Sequence, residues 1–571
     1  MSTSKNPENE MFRFPNPKTK DPGERRVQRA LEVIPGTLSW SVVSGIVLLS
    51  WLAPLVAATI VILYDIYWLF LTAYVTLFAT LSYRQLRYGM RVNWWERLVR
   101  SREPDAYRIE LEQRAAYLRR VVREEKMTFR ERAVVSRERR DIMKHIRELA
   151  SLSRRRDEIM DHQEIIHAVL LPTAGESADI IEPAIRSIAE SSFPKSQIII
   201  VLATEEREPE ATRLPKVEAL RKQFDGVFRD FLVTTHEVAE GELKCKASNA
   251  AYAAKKLRAY LDERGISYDR VIFSNFDCDT VAHPEYFSAL AYLYVTDPDR
   301  LRRAYQPLPM YHNNLWDTNA FVRVTVTGSS FWHMYQGTRR EMVTFSSHSE
   351  PFDTLVRVGY WPVNMISEDS VIFWKAFSYF HGDYKVKLIP LPVSLDAVLA
   401  DSYMKTLGNA YKQNRRWAYG IENFPVMMRA FWPDKQMSFF HKLRVTEEIL
   451  EGHLSWATAP LILTFLGWLP LFLGGTAFNE SVLAHNLPVV TRTLMTLSMG
   501  GLVTLVFLSF LMLPKRPKRY GRLRTVFMFA QWFLAPFVAL LMATPALDAQ
   551  TRILTKRYFG EFWVTEKVRR K

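Results

Sequence analysis

The chain has 571 residues, a formal net charge of +15, 48% hydrophobic residues and two cysteines, Cys245 and Cys278. That length admits more than one structural unit, and so few cysteines exclude a disulfide-built secreted scaffold and fit a reducing compartment. The charge does not point to nucleic acid, because the basic residues crowd beside apolar runs in "GERRVQR", "RQLRYGMR" and "KRPKRYGRLR", the positive-inside pattern of a protein that meets anionic lipid headgroups.

In chain order, residues 1–33 are polar, read as a cytoplasmic segment without a secretory signal, so the first membrane segment is expected to be retained. Residues 34–83 are apolar between basic flanks, which predicts a transmembrane hairpin broken near Pro54. Residues 84–160 are rich in Arg and Glu at helical spacing and read as charged amphipathic helices. After a domain at 161–425 and interfacial helices at 426–450, two more spans are expected in 451–513. There "LSWATAPLILTFLGWLPLFLGG" holds no charge at all, and each apolar run can cross about 30 Å of hydrocarbon at roughly 1.5 Å per helical residue. Residues 525–546 form a third C-terminal segment, either spanning or re-entrant around Pro536, followed by a basic tail, 547–571, that carries "FWVTEK".

Within 161–425 the pattern alternates. "IIHAVLLPT", "SQIIIVLAT", "DFLVTT" and "DRVIFSNFDCD" read as strands, and "ADIIEPAIRSIAES" and residues 246–263 as helices. This predicts a doubly wound α/β sheet with a ligand crevice at the carboxyl ends of its strands. "SEDSVIFWKAF" places Ser367, Glu368 and Asp369 before an apolar run, which taken alone reads as a capped helix start. In "NFDCDT", Asp277 and Asp279 in extended conformation would point to one side, either as structural acids or as ligands of a hard cation such as Mg²⁺ or Mn²⁺. "QNRRWAYG" offers Gln413, Arg416 for a diphosphate and Trp417 for sugar stacking, though taken by itself it reads as an interfacial amphipathic helix. Lys246 and Asn249 open a helix, a position suited to an anionic ligand or to nothing more than a helix start.

The ordered series Thr173, Glu205, Lys246 with Asn249, Asp277 with Asp279, Glu368 with Asp369, then Gln413 to Trp417 resembles the membrane-bound family 2 glycosyltransferases, the branch of cellulose synthase and hyaluronan synthase. The usual acidic pair after the second strand stands here as "TEER", and the threonine of the [TS]-E-D motif as Ser367. "FWVTEK" is similar to the gating-loop element of cellulose synthase, which would make Thr565 and Lys567 gating residues. The resemblance implies an α/β GT-A-type (Rossmann-like) catalytic domain inserted between transmembrane helices, a nucleotide-sugar donor, usually a UDP-sugar, and inversion at the anomeric carbon. It implies Thr173 and Glu205 around the nucleoside, Lys246, Asn249 and Asp277 on the donor, and Asp279 with Asp277 on Mg²⁺ or Mn²⁺. Asp369 would be the base beside Glu368, Arg416 would meet the leaving diphosphate, and Gln413 and Trp417 the acceptor.

The expected function is transfer of sugar to a growing glycan at the cytoplasmic face of the plasma membrane, with membrane lipid around it, no nucleic acid, and room for an export partner. A single transfer to a polyprenyl phosphate or other lipid acceptor, or a non-catalytic nucleotide-sugar-binding scaffold, are the alternatives.

Overall fold

The computed structural model describes residues 12–339 and 342–560. Its centre is a sheet of eight strands, β1 (Ile166–Pro172), β2 (Ile198–Glu205), β3 (Asp230–His236), β4 (Val271–Asn275), β5 (Val281–Ala282), β6 (Arg303–Met310), β7 (His348–Pro351) and β8 (Lys385–Ser394). The spatial order is β3-β2-β1-β4-β7-β6-β8-β5. β1 to β4 run parallel, joined by the helices Ala178–Ala189, Glu210–Gln223 and Lys246–Glu263. Beyond β4 the sheet is mixed: β7 is antiparallel to β4 and β6, β6 is parallel to β8, and β5 is antiparallel to β8. The expected doubly wound sheet therefore covers only the first half. In the second half a short β7 follows the helix Ala320–Gln336 in the chain and runs against both of its neighbours.

β1, β2 and β4 are buried throughout, which is why they read as largely apolar runs, while the edge strand β3 is only partly buried. Ile166, Ala168, Leu170, Ile199 and Val201 share a core with Ala250, Leu257 and Phe373, while Val169, Leu171, Ile198 and Ile200 meet Ile181, Ile185 and Ile188 on the other face. The two sets alternate along each strand, as the pleat dictates. Strand order turns at β1, with β2 and β3 on one side and β4 on the other. That switch point leaves a crevice outside the carboxyl ends of β1 and β4.

Four helices, Pro22–Leu52, Pro54–Gly89, Val482–Leu511 and the segment Arg522–Leu554, are long and apolar enough to cross a membrane among the described residues. A fifth candidate is the pair Phe439–Thr464 and Leu466–Leu473, bent by 49°. The break in the first hairpin falls at Ala53, with Pro54 opening the second helix where its missing N–H costs nothing. Pro536 also sits at the start of a helix, Ala535–Leu554, after a short 3₁₀ turn; the sharp bend is at Phe465 instead. Helices Pro54–Gly89 and Val482–Leu511 touch closely at Gly501, where a Cβ would lie 2.5 Å from Thr72 Cγ2.

Candidate active site

Four separated segments converge at the carboxyl end of the sheet. Lys246 is the first residue of the helix Lys246–Glu263, Asp277 follows β4, Glu368 and Asp369 open the helix Glu368–Tyr379, and Arg416 lies on the helix Tyr403–Ala418. The Lys246 ammonium reaches Asp277 at 2.8 Å, Glu368 at 3.3 Å and Asp369 at 3.5 Å. Burial alone would lower its pKa, but Asp277, Asp369 and Glu368 together hold it well above the ordinary lysine value. Arg416 is buried beside the same acids; burial lowers its pKa, against the pull of Glu368, Asp277 and Asp369. The result is two fixed cations among three carboxylates, an excess of negative charge that a diphosphate could join only with added positive charge such as a divalent cation.

The two acids of the "SED" stretch differ in surroundings. The Glu368 side chain is 7% exposed and that of Asp369 25%. Burial, and then the adjacent Asp369 carboxylate, push the Glu368 pKa up to about 7 against Lys246 and Arg416. Ser367 does not cap this helix with its side chain, contrary to the sequence expectation. Its hydroxyl donates to Glu422 Oε1 (2.8 Å) and Asn423 Oδ1 (2.9 Å). Glu422 Oε1 also accepts from the backbone N–H groups of Ile366 (2.8 Å) and Ser367 (2.7 Å). A carboxylate from just beyond "QNRRW" thus fixes the approach to the helix, and no local pattern could announce it.

Asp277 and Asp279 do not lie in extended chain. β4 ends at Asn275, and the D-x-D occupies the following turn, closed by Thr280 N–H on Asp277 O (2.9 Å). Asp277 accepts from Lys246 and from the Ser346 hydroxyl, whereas Asp279 Oδ2 accepts from the backbone N–H of Asp396 (2.8 Å). No group of three or more His, Cys, Asp or Glu side chains is placed to hold a metal ion among the described residues. Two hard carboxylates in one turn suit Mg²⁺ or Mn²⁺ only when substrate phosphates supply further oxygens.

The remaining expected residues divide. Thr173 and Glu205 stand at the ends of neighbouring β1 and β2; Thr173 donates to Glu176 (2.9 Å), and Glu205 pairs with Arg207 (2.5 Å), its pKa raised by burial. Asn249 is fully buried and donates to the Ala203 carbonyl (3.0 Å), so it fastens its helix to β2 instead of lining the crevice. Gln413 is buried, and Trp417 packs against Tyr311 with ring centroids 6.4 Å apart. Thr565 and Lys567 lie outside the described residues. Sequence reasoning missed His348, buried at the start of β7 with Nδ1 3.7 Å from Asp369 and Nε2 3.8 Å from Glu350. Burial would lower its pKa; Glu350 and then Asp369 raise it. It also missed Ser346 and Glu422, which the chain brings in only through long-range packing.

The sequence of residues 274–544 matches the family described as Glycosyl transferase family group 2. A poly-beta-1,6-N-acetyl-D-glucosamine synthase of Staphylococcus epidermidis is 31% identical over 115 residues, 20% of this chain and 24% of that protein. The synthase of the same name from Staphylococcus aureus (strain COL) is 37% identical over 78 residues, 14% of this chain and 16% of that protein. The matches thus span at most about a quarter of these relatives' length. Among solved structures, the mannosyltransferase PcManGT of Pyrobaculum calidifontis with GDP-Man and Mn²⁺ is 16% identical at a TM-score of 0.38, covering 60% of this chain and 86% of that one. The S. aureus TarS fragment in complex with UDP-GlcNAc is 12% identical at 0.32, covering 60% and 92%. The matched stretch, residues 274–544, takes in the D-x-D turn, the SED helix and the Q-x-x-R-W helix, so these elements are the part of the chain that is similar to glycosyl transferase family group 2.

Proposed function

We propose that the protein is an inverting glycosyltransferase that moves a sugar from a nucleoside-diphosphate donor, most simply a UDP-sugar, to a growing glycan at the cytoplasmic face of the plasma membrane. The observation that carries this reading is the meeting of Lys246, Asp277, Glu368, Asp369 and Arg416 at the switch point of the sheet. Asp369, the more exposed acid, takes the proton of the acceptor hydroxyl. That oxygen attacks the anomeric carbon from the face opposite the diphosphate, and the carbon–oxygen bond to the diphosphate breaks with inversion. Arg416 meets the charge that develops on the departing diphosphate. Lys246 keeps Asp277 and the SED acids at fixed spacing before the donor arrives.

Asp277 and Asp279 would hold Mg²⁺ or Mn²⁺, which when bound adds positive charge beside the diphosphate. Transfer should therefore stop in excess EDTA, and Asp279→Asn should lose activity even with added Mn²⁺. Full turnover by a sample confirmed metal-free would remove the cation from the reaction.

The last described residues support a gating role for the tail. Phe559 lies against Tyr419, ring centroids 4.4 Å apart, two residues beyond Trp417. "FWVTEK" starts three residues later in the sequence, outside the described residues. Purified protein in detergent, screened with nucleotide sugars for nucleoside-diphosphate release, tests the reading. A polymeric product supports glycan elongation, a single-sugar lipid supports the lipid-acceptor alternative, and release with no donor would reject glycosyl transfer.

A further inference from the structure

A cavity of about 1000 Å³ opens where residues 12–17 and the start of the helix Pro22–Leu52 lean on the catalytic domain. None of its lining residues belongs to the catalytic cluster. Its charged lining is Arg13, Lys255, Lys375, Arg429 and one acid, Glu24, which pairs with Arg429 at 2.8 Å. The N-terminal strap is pinned in place, with Asn16 Oδ1 accepting from Asn364 (2.7 Å) and Asn16 O from Arg429 (3.0 Å).

Lys375 is 6% exposed, and its ammonium donates to the carbonyls of Gly359 (3.0 Å) and Tyr360 (2.7 Å). No carboxylate pairs with it among the described residues. Burial and then the neighbouring Lys255 charge push its pKa down to about 7. Trp361, on the same wall, is 2% exposed, and its indole N–H has no acceptor among the described residues. A buried cation without a counter-ion costs free energy, which an anion beside Lys375 and Lys255 would relieve.

We propose that this cavity binds a phosphate-bearing ligand between the buried Lys375 and the exposed Lys255, with Arg13 also in its lining. Lys255 and Lys375 sit on the two helices that begin at the catalytic cluster, Lys246–Glu263 and Glu368–Tyr379. A ligand bridging them ties together the elements that carry Lys246 and Asp369, which makes the cavity a regulatory site. Two sources share the required chemistry. One is the headgroup of an anionic phospholipid, since Val27 and Trp432 of the lining are 52% and 41% exposed beside the first apolar span. The other is a soluble phosphate compound.

The full chain in phosphatidylcholine nanodiscs, treated with limiting acetic anhydride, gives a direct readout: acetylation of Lys375 by mass spectrometry, normalised to the exposed Lys222. Inorganic pyrophosphate in the buffer, or phosphatidylglycerol in the nanodisc, should protect Lys375 severalfold, as 1 + [ligand]/Kd. Protection by pyrophosphate identifies the soluble source and protection by phosphatidylglycerol the lipid source. Lys255→Gln, a change at an exposed position outside the catalytic cluster, should weaken the protection. Unchanged acetylation with both probes overturns the proposal, as does protection undiminished in Lys255→Gln. Protection seen only after deletion of residues 1–11 overturns it too, by giving the cavity to the chain's own N-terminus.

Discussion

Glu368 and Asp369 are neighbours with different work, because the helix start turns one into the protein and leaves the other facing the crevice. For Glu368 the folded-state pKa of about 7 lies above the ordinary 4.5. The native state then binds more protons than the unfolded chain in that window, so this group's contribution to stability falls as pH rises from 4.5 toward 7. Glu368→Gln removes the titration, and the melting temperature of the variant should fall less over that range than that of the unmodified protein. Equal slopes would show that Glu368 is not the titrating group. At this scale the sequence was informative where chemistry is local: the acids, Lys246 and Arg416 all reach the site. It misled where a side chain has a distant partner. Ser367 has the composition of a cap and Asn249 that of a ligand contact, yet Glu422 claims the first and the Ala203 carbonyl uses the second.

Among the elements, the parallel strands were legible from their apolar runs and two of their three helices, Ala178–Ala189 and Lys246–Glu263, from their apolar faces; Glu210–Gln223, which buries Arg213, Lys216 and Leu220, shows no such stripe and went unread. β5, β7 and the bulged pairing of β6 with β8 were not, since each is short or irregular and is defined by a partner far along the chain. The coupling of the SED helix to the segment after Q-x-x-R-W is of the same kind. Glu422→Leu keeps an apolar volume but strips the acceptor from Ile366 N–H, Ser367 N–H and the Ser367 hydroxyl, at a cost of about 1–3 kcal/mol for each donor left buried and unpaired. Glu422→Gln retains an acceptor and should keep most of the stability and transfer rate. Calorimetry and donor turnover on the two variants check this; equal behaviour would mean that Glu422 only fills space.

For the whole molecule, positive-inside charge set the catalytic domain beside the membrane, but counting spans could not place the C-terminus. The packing offers a resolution. Near its start the segment Arg522–Leu554 is tied to the domain by Arg524 on Trp316 O (3.1 Å) and Arg323 on Gln531 (2.6 Å), and near its end by Arg415 and Tyr411 on Asp548 (3.0 and 3.2 Å). Both ends hold the same domain, and from this packing we propose that the segment returns to the catalytic side; the tail beyond residue 560 lies outside the described residues. A cysteine introduced at Lys571 should resist an impermeant maleimide in intact cells and react after permeabilisation; Cys245 and Cys278 are both buried and leave a quiet background. Labelling in intact cells would contradict this topology. The central claim is that this assembled site transfers sugar with Asp369 as base, and Asp369→Asn tests it most directly, because the amide keeps shape and helix start while removing proton acceptance. Donor binding and sugar transfer are measured on the same folded, purified sample. The account predicts binding within a few-fold of the unmodified protein and transfer slower by roughly 10²-fold or more; transfer at close to the unmodified rate would contradict it.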